Sequence, residues 1–352
     1  MKYKKLGRSG LKVSELCLGT MTFGEEFGIG APQAVCRKIY DAFRDAGGNF
    51  VDTADIYNAG TSERMLGSFI AEEREQIVLA SKYSLNTRTA DPNAGGNHRK
   101  NLVQSLEASL GHLATEYIDL FWVHAWDGST GLAEVMRALD DQVRLGKILH
   151  IGISNAPAWV ISAANTLADE RGWTPFTAMQ LHYNLVERTI EREHFALANA
   201  QQMAITPWSP LAGGLLTGKF NRDADRGEQE GSRLAGSPRR AQVLQEKNLA
   251  VAERLVELAG EAGCTAAQLA LAWMMRRTPT CVVPIIGARK LVQLEDNLGA
   301  ANVDLDPAQI AALDDLSAPD PAYPGTLYTS DFFRTMMYGE AWEKLELDRP
   351  WQ

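Results

Sequence analysis

The chain has 352 residues, 45% of them hydrophobic, and a formal net charge of −9. That length and apolar content suit one large α/β domain with a sizeable core, and no Pro/Gly/Ser-rich linker divides it. The acidic balance argues against a nucleic-acid footprint, which needs a clustered basic surface, and no apolar run approaches the roughly 18 residues of a membrane span.

The N-terminus, Met-Lys-Tyr-Lys-Lys, has no apolar segment behind its basic start, so a signal peptide is not expected and the cytoplasm is the expected compartment. Cys17, Cys36, Cys264 and Cys281 are scattered, without the paired spacing of a zinc site or a disulfide framework, and read as buried thiols with no metal. Tyr3 to Val13 turns at Gly7-Arg8-Ser9-Gly10 and predicts a hairpin ahead of the main fold. Leu16 to Gly19 is the first core strand, leading into Thr20-Met21-Thr22-Phe23. Pro32 to Ala46 carries Val35, Ile39, Phe43 and Ala46 at helical spacing, and Gly47-Gly48 ends that helix.

Strand and helix patterns then alternate. Phe50-Val51 ends on Asp52, with Tyr57 five residues later; Ile77 to Ser81 ends on Lys82; Ile118 to Val123 ends on His124. Between them, Ser62-Glu63 opens a short helix, and Leu102, Leu106, Leu110 and Leu113 form one helical stripe. A helix from about Leu132 to Leu145 leads to a strand over Ile148 to Ile153, and Pro157 starts another helix. Thr177 to Leu181 and Met203 to Trp208 are strand-like, with helix over Glu191 to Ala200, and Val282 to Ile286 is the last run. About eight strands alternating with helices predict a closed (β/α)8 TIM barrel, with its core over about 15–317. A doubly wound sheet is the alternative, but the Gly-x-Gly-x-x-Gly turn it favours is missing. The polar stretch Asn221 to Arg240 reads as a long loop after the seventh strand, either an ordered lid or disordered. A helix over Pro307 to Leu316 precedes a tail, 318–352, rich in Tyr, Phe, Met and Trp, which is expected to lie against the body and wall a pocket.

Runs that each end on a group of different acid strength describe a proton-transfer site at the C-terminal rim of a barrel. A tyrosine, with an ordinary pKa near 10, needs a neighbouring ammonium to act as an acid at neutral pH. Lys82 supplies one, Asp52 holds it charged, and His124 can hydrogen-bond a substrate oxygen. Taken singly, each has a structural reading: Asp52 as a cap, Tyr57 as packing, Lys82 as a surface charge, His124 as a core histidine. Their occurrence on three consecutive strand ends favours the functional one.

Two further stretches suit a dinucleotide. In Pro284 to Asn297 the last strand runs through Gly287 into a predicted helix with Arg289, Gln293 and Asn297 on one face, suited to a phosphate and a base. In Thr206 to Lys219, Trp208 offers a flat face for a planar ring, and Gly213-Gly214 with Lys219 suits a diphosphate. Ser154-Asn155 and Gln180 carry side chains able to hold a carboxamide.

Phe50-Val51-Asp52-Thr53-Ala54-Asp55-Ile56-Tyr57, Gly152-Ile153-Ser154-Asn155 and Gln293-Leu294-Glu295-Asp296-Asn297 together give the chain its resemblance to the aldo-keto reductases, from Leu6 through Asn297. The resemblance implies a TIM barrel, a catalytic tetrad of Asp52, Tyr57, Lys82 and His124, and NADP(H) bound without a Rossmann fold. It implies Ser154, Asn155 and Gln180 at the nicotinamide amide, Trp208 on its ring and Arg289 at the 2′-phosphate. The expected cofactor site also takes in Gly19, Thr20 and Met21, then Asp52, then Ser209, Pro210, Leu211, Gly213 and Lys219, and finally Ile286, Gly287, Gln293 and Asn297. Two departures stand out: Trp208 where members often have Tyr, and Ala125-Trp126-Asp127 after His124 where Arg/Trp-Pro-Asp is usual.

The activity so implied is reduction of an aldehyde or ketone to an alcohol, with Tyr57 as proton donor and Phe23, Tyr83 and Trp126 as substrate contacts. The expected partner is a small carbonyl or alcohol, neither nucleic acid nor membrane. Two other readings remain open: a cofactor-loaded regulatory subunit, since the family includes barrels attached to ion channels, and a Schiff-base lyase using Lys82.

Overall fold

The computed structural model describes residues 1–220, 234, 237, 238, 240–277, 280–319, 322–328 and 330–345. An antiparallel hairpin, β1 (Tyr3–Lys5) with β2 (Lys12–Ser14), opens the chain. Its turn places Gly7 at φ 54°, where a Cβ would come within 2.3 Å of the Thr177 carbonyl oxygen, so only glycine lets the turn press against the barrel floor. Leu6 and Val13 are fully buried there, clustered with Cys17, Phe50 and Trp122 inside the barrel.

The barrel strands are β3 (Cys17–Gly19), β4 (Phe50–Asp52), β5 (Val78–Tyr83), β6 (Ile118–Val123), β7 (Ile148–Ser154), β8 (Phe176–Gln180), β9 (Ala204–Ile205), β10 (Cys281–Val282) and β11 (Ile285–Ile286). They pair in parallel in the order β10-β9-β8-β7-β6-β5-β4-β3-β11. β10 and β11 are two halves of one stave, parted by Val283-Pro284, because proline has no N–H to give a ladder. The first half pairs with β9 and the second with β3, so this split stave joins the two edges and closes the barrel. Backbone bonds from Val283 N to Ile205 O, from Ile285 N to Pro207 O and from Cys17 N to Pro284 O, each 2.9 Å, carry the closure across the break. An open doubly wound sheet is thereby excluded.

Helices at Gln33–Asp45, Thr61–Ile70, Arg99–Leu113, Leu132–Arg144, Ala158–Arg171 and His194–Gln201 follow successive strands and cover the sheet with their apolar stripes. Two more, Glu246–Glu261 and Ala266–Met275, precede the split stave; every residue of the second is buried except Gln268. Among the described residues no helix is long and apolar enough to cross a membrane.

Most of the predicted loop over Asn221 to Arg240, and residues 346–352 of the tail, lie outside the described residues. The described part of the tail differs from expectation. Phe332 and Met336 of its helix Asp331–Tyr338, and Tyr323 ahead of its helix Gly325–Tyr328, are exposed, and none of its described residues lines the cavity described below. Within it Tyr328 and Phe333 lie 6.3 Å apart and Arg334 sits over Trp342.

Candidate active site

Alternation along β5 sends Ala80 and Lys82 into the barrel and Leu79 and Tyr83 toward the helices. Lys82 is therefore a fully buried ammonium, and the barrel supplies its partners: the Asp52 carboxylate at the end of β4, the Thr53 carbonyl at 2.7 Å and the Tyr57 hydroxyl at 3.2 Å. Burial by itself would depress the Lys82 pKa, but Asp52 and Tyr57 outweigh it and hold it above the ordinary lysine value. Asp52 takes a second bond, 2.9 Å, from Gln180 Nε2.

His124, just past β6, meets Tyr57 edge to face with ring centroids 5.9 Å apart. Burial first, and the Lys82 charge second, push its pKa down to about 3, so the ring is neutral at physiological pH. Its Nδ1 is buried without a hydrogen-bond partner among the described residues, which leaves Nε2 as the nitrogen able to serve a ligand. All four ionisable groups thus converge at the C-terminal rim.

Residues beside Tyr57 fix its place. Asn58, fully buried in the left-handed region at φ 47°, donates through Nδ2 to Met21 O and Phe23 O and accepts through Oδ1 from Phe27 N. It clamps the loop after β3 to the segment carrying Tyr57. Asp55 is buried with neither carboxyl oxygen hydrogen-bonded among the described residues; burial, then the Glu63 charge, push its pKa up to about 8.

A cavity of about 630 Å³ runs from this cluster toward the helix Leu291–Leu298. At its inner end stand Asp52, Tyr57, His124, Asn155, Gln180 and Trp208. Gly19 and Met21 line it from the loop after β3, and Ser209, Pro210, Leu211, Gly213 and Lys219 from the loop after β9. Ile286, Gly287, Arg289, Gln293 and Asn297 complete the outer wall. Ser209, Ala212, Gly213 and Gly214 all have positive φ, a tight coil closed by backbone bonds from Ala212 N to Ser209 O at 3.0 Å and from Gly214 N to Leu211 O at 2.8 Å. Lys219 lies across Gly214, where a Cβ would come within 2.5 Å of Nζ. Burial, then the Arg289 charge, lower the Lys219 pKa, so two cations share this end of the cavity. Lys219 and Arg289 make this end of the cavity suited to anionic groups.

Several predicted site residues stand elsewhere. Tyr83 is fully buried and stacked on Phe121 at 5.5 Å, because its position in β5 points to the helix layer. Phe23 is fully buried against Phe69, 6.0 Å between centroids, so neither aromatic reaches the cavity. Trp126 is half-buried and likewise outside the lining. Thr20 is buried beneath it, its hydroxyl donating to Asp52 O, and Ser154 lies behind Asn155, whose Nδ2 it accepts at 2.9 Å. Lys82 lies beneath Asp52 and Tyr57 without lining the cavity. Arg289 precedes the helix it was expected to sit on, because Gln293 Oε1 folds back to cap it, accepting from Arg289 N at 3.0 Å.

Phe27, Ile56 and Leu85 line the cavity without having been anticipated; they sit in loops with no periodicity to mark them. Asp296 also lines it, held by Thr265 Oγ1 at 2.9 Å and Gln268 Nε2 at 3.0 Å.

The model of the Aldo/keto reductase family matches residues 15–318. Norsolorinic acid reductase of Emericella nidulans is 38% identical over 326 residues, which are 90% of this chain and 81% of that protein. Norsolorinic acid reductase B of Aspergillus parasiticus is 35% identical over 344 residues, 94% of this chain and 88% of that protein. Aryl-alcohol dehydrogenase (NADP(+)) of Phanerodontia chrysosporium is 35% identical over 353 residues, with 92% and 89% covered.

Proposed function

The chain belongs to the aldo/keto reductase family, and on that premise we propose that it reduces an aldehyde or ketone with NADPH, Tyr57 giving the proton. Oxidoreduction at a carbonyl is the general chemistry of that family; the cofactor and the proton donor are our reading. The observation that carries it is the 3.2 Å contact between Lys82 Nζ and the Tyr57 hydroxyl at the wall of the cavity.

Bound NADPH would supply the hydride. Lys219 and Arg289 suit its phosphates, and Trp208 with Gln180 its nicotinamide ring and carboxamide. Asn155 is more committed: its Nδ2 donates to His124 O and Ser154 Oγ, and its Oδ1 accepts from Trp208 Nε1. Tyr57 transfers its proton to the substrate oxygen, and the Lys82 ammonium beside it lowers the cost of the phenolate left behind. Asp52 and the Thr53 carbonyl keep Lys82 charged and aimed. Neutral His124 can donate from Nε2 to the same oxygen without competing as the acid. A lysine held as an ammonium by these partners is a poor Schiff-base nucleophile, which disfavours the lyase reading.

Phe27, Ile56 and Leu85 in the cavity wall favour an apolar substrate, and the relatives named for norsolorinic acid and aryl alcohols agree with an aromatic carbonyl compound. Loss of reduced-nicotinamide absorbance with a panel of aromatic and aliphatic aldehydes tests both points. Tight NADPH binding without turnover of any member would replace this reading with the regulatory-subunit one.

A further inference from the structure

Trp208 is held more firmly than a rim residue needs to be for packing. Its backbone N–H donates to Leu181 O at 2.9 Å, and a parallel bridge sets it beside His182 just past the end of β8. The two rings stack nearly parallel, 7° apart in plane with centroids 4.1 Å apart. Indole Nε1–H then donates to Asn155 Oδ1 at 3.0 Å. A stack fixes the plane of the indole and the hydrogen bond fixes its rotation within that plane. Trp208 lines the cavity while His182 does not, so His182 covers the face turned away from the ligand. Behind His182 stands Asn184, fully buried, with Nδ2 3.4 Å from His182 Nε2 and donating to Ser209 O at 3.0 Å.

We propose that His182 is a positioning residue for the cofactor: it presents Trp208 as a preset flat surface on which the nicotinamide ring lies. The assignment rests on the reading of Trp208 as the nicotinamide-stacking residue. Without the imidazole, the indole must be ordered at the moment of binding, and that ordering is charged against cofactor affinity. The ligand part affected is the planar pyridine ring alone; the adenosine and its phosphates would meet Lys219 and Arg289 at the other end of the cavity, where His182 makes no wall.

Dissociation constants of NADPH and of adenosine 2′,5′-bisphosphate, which lacks the nicotinamide, are to be measured for the wild-type chain and for His182→Ala, His182→Leu, His182→Phe and Trp208→Leu. His182→Ala and His182→Leu should weaken NADPH about two- to tenfold, the span of an aromatic pair, and leave the bisphosphate unchanged. His182→Phe, which restores a flat ring, should recover most of the loss, while leucine fills comparable space without a plane to stack. Wild-type NADPH affinity in His182→Leu, or an equal loss for both ligands, overturns the role of His182. If Trp208→Leu leaves NADPH affinity untouched, the underlying reading of Trp208 falls, and the proposal with it. A loss in Trp208→Leu with none in His182→Ala or His182→Leu refutes the proposal alone.

Discussion

Gln180 Nε2 donates to Asp52 Oδ1 at 2.9 Å, a bond that spans the barrel mouth between β8 and β4, strands that are not neighbours in the sheet. The other oxygen of Asp52 faces the Lys82 ammonium. Asp52→Asn removes the counter-charge from a cation with no exposure, and breaking a buried pair from one side costs about 3–5 kcal/mol. A drop of that size in unfolding free energy by denaturant titration is the expected outcome; a change below about 1 kcal/mol would mean that Lys82 is neutral in the fold.

Tyr57→Phe keeps the ring against His124 and removes only the acid. Turnover of an aromatic aldehyde should fall about 10²- to 10⁴-fold, the usual contribution of a positioned proton donor, with NADPH affinity within about twofold of wild type. Near-normal turnover would pass the role to another group, His124 being the next in reach.

Arg289→Ala should separate the two nicotinamide cofactors. A charge-assisted bond to phosphate contributes about 1.5–3 kcal/mol, so NADPH should bind about 10- to 100-fold more weakly while NADH changes little. Equal losses in paired titrations would show that Arg289 does not read the extra phosphate.

Asp55 gives a dependence on pH whose sign is fixed. Its carboxyl titrates near 8 in the fold against an ordinary 3.8, so the folded chain binds the proton more tightly. The stability it contributes is complete below about pH 3.8 and is lost as pH rises toward about 8. Asp55→Asn, which cannot ionise, should therefore unfold at a higher denaturant concentration relative to wild type at pH 8 than at pH 5. A difference between the two chains that does not vary with pH would show that Asp55 is already ionised.

The barrel was legible because short apolar runs alternate with helical stripes along the chain, and those of β4, β5 and β6 end at or just before Asp52, Lys82 and His124. The convergence of Asp52, Tyr57, Lys82 and His124 was legible for the same reason. What the sequence hid falls into two kinds. Tyr83 and Phe23 look like pocket aromatics until strand alternation and the fold of the β3 loop turn them into the helix layer. Phe27, Leu85 and Asn58 belong to loops, where placement depends on hydrogen bonds between distant segments, such as Asn58 Nδ2 to Met21 O, that no local spacing encodes. The helix Glu246–Glu261 does carry a stripe, Leu249, Ala252, Leu255 and Ala259, but it follows a polar stretch that breaks the strand-helix rhythm.

Lys219 and Arg289 repel each other at the outer end of a cleft in a protein whose overall charge is −9. The two cations stand together on an acidic body, and their mutual repulsion is relieved when a polyanion enters. Capture should be fast in dilute buffer and slow steeply as ionic strength rises, since the field that draws the guest in fades over about 10 Å at 0.1 M salt.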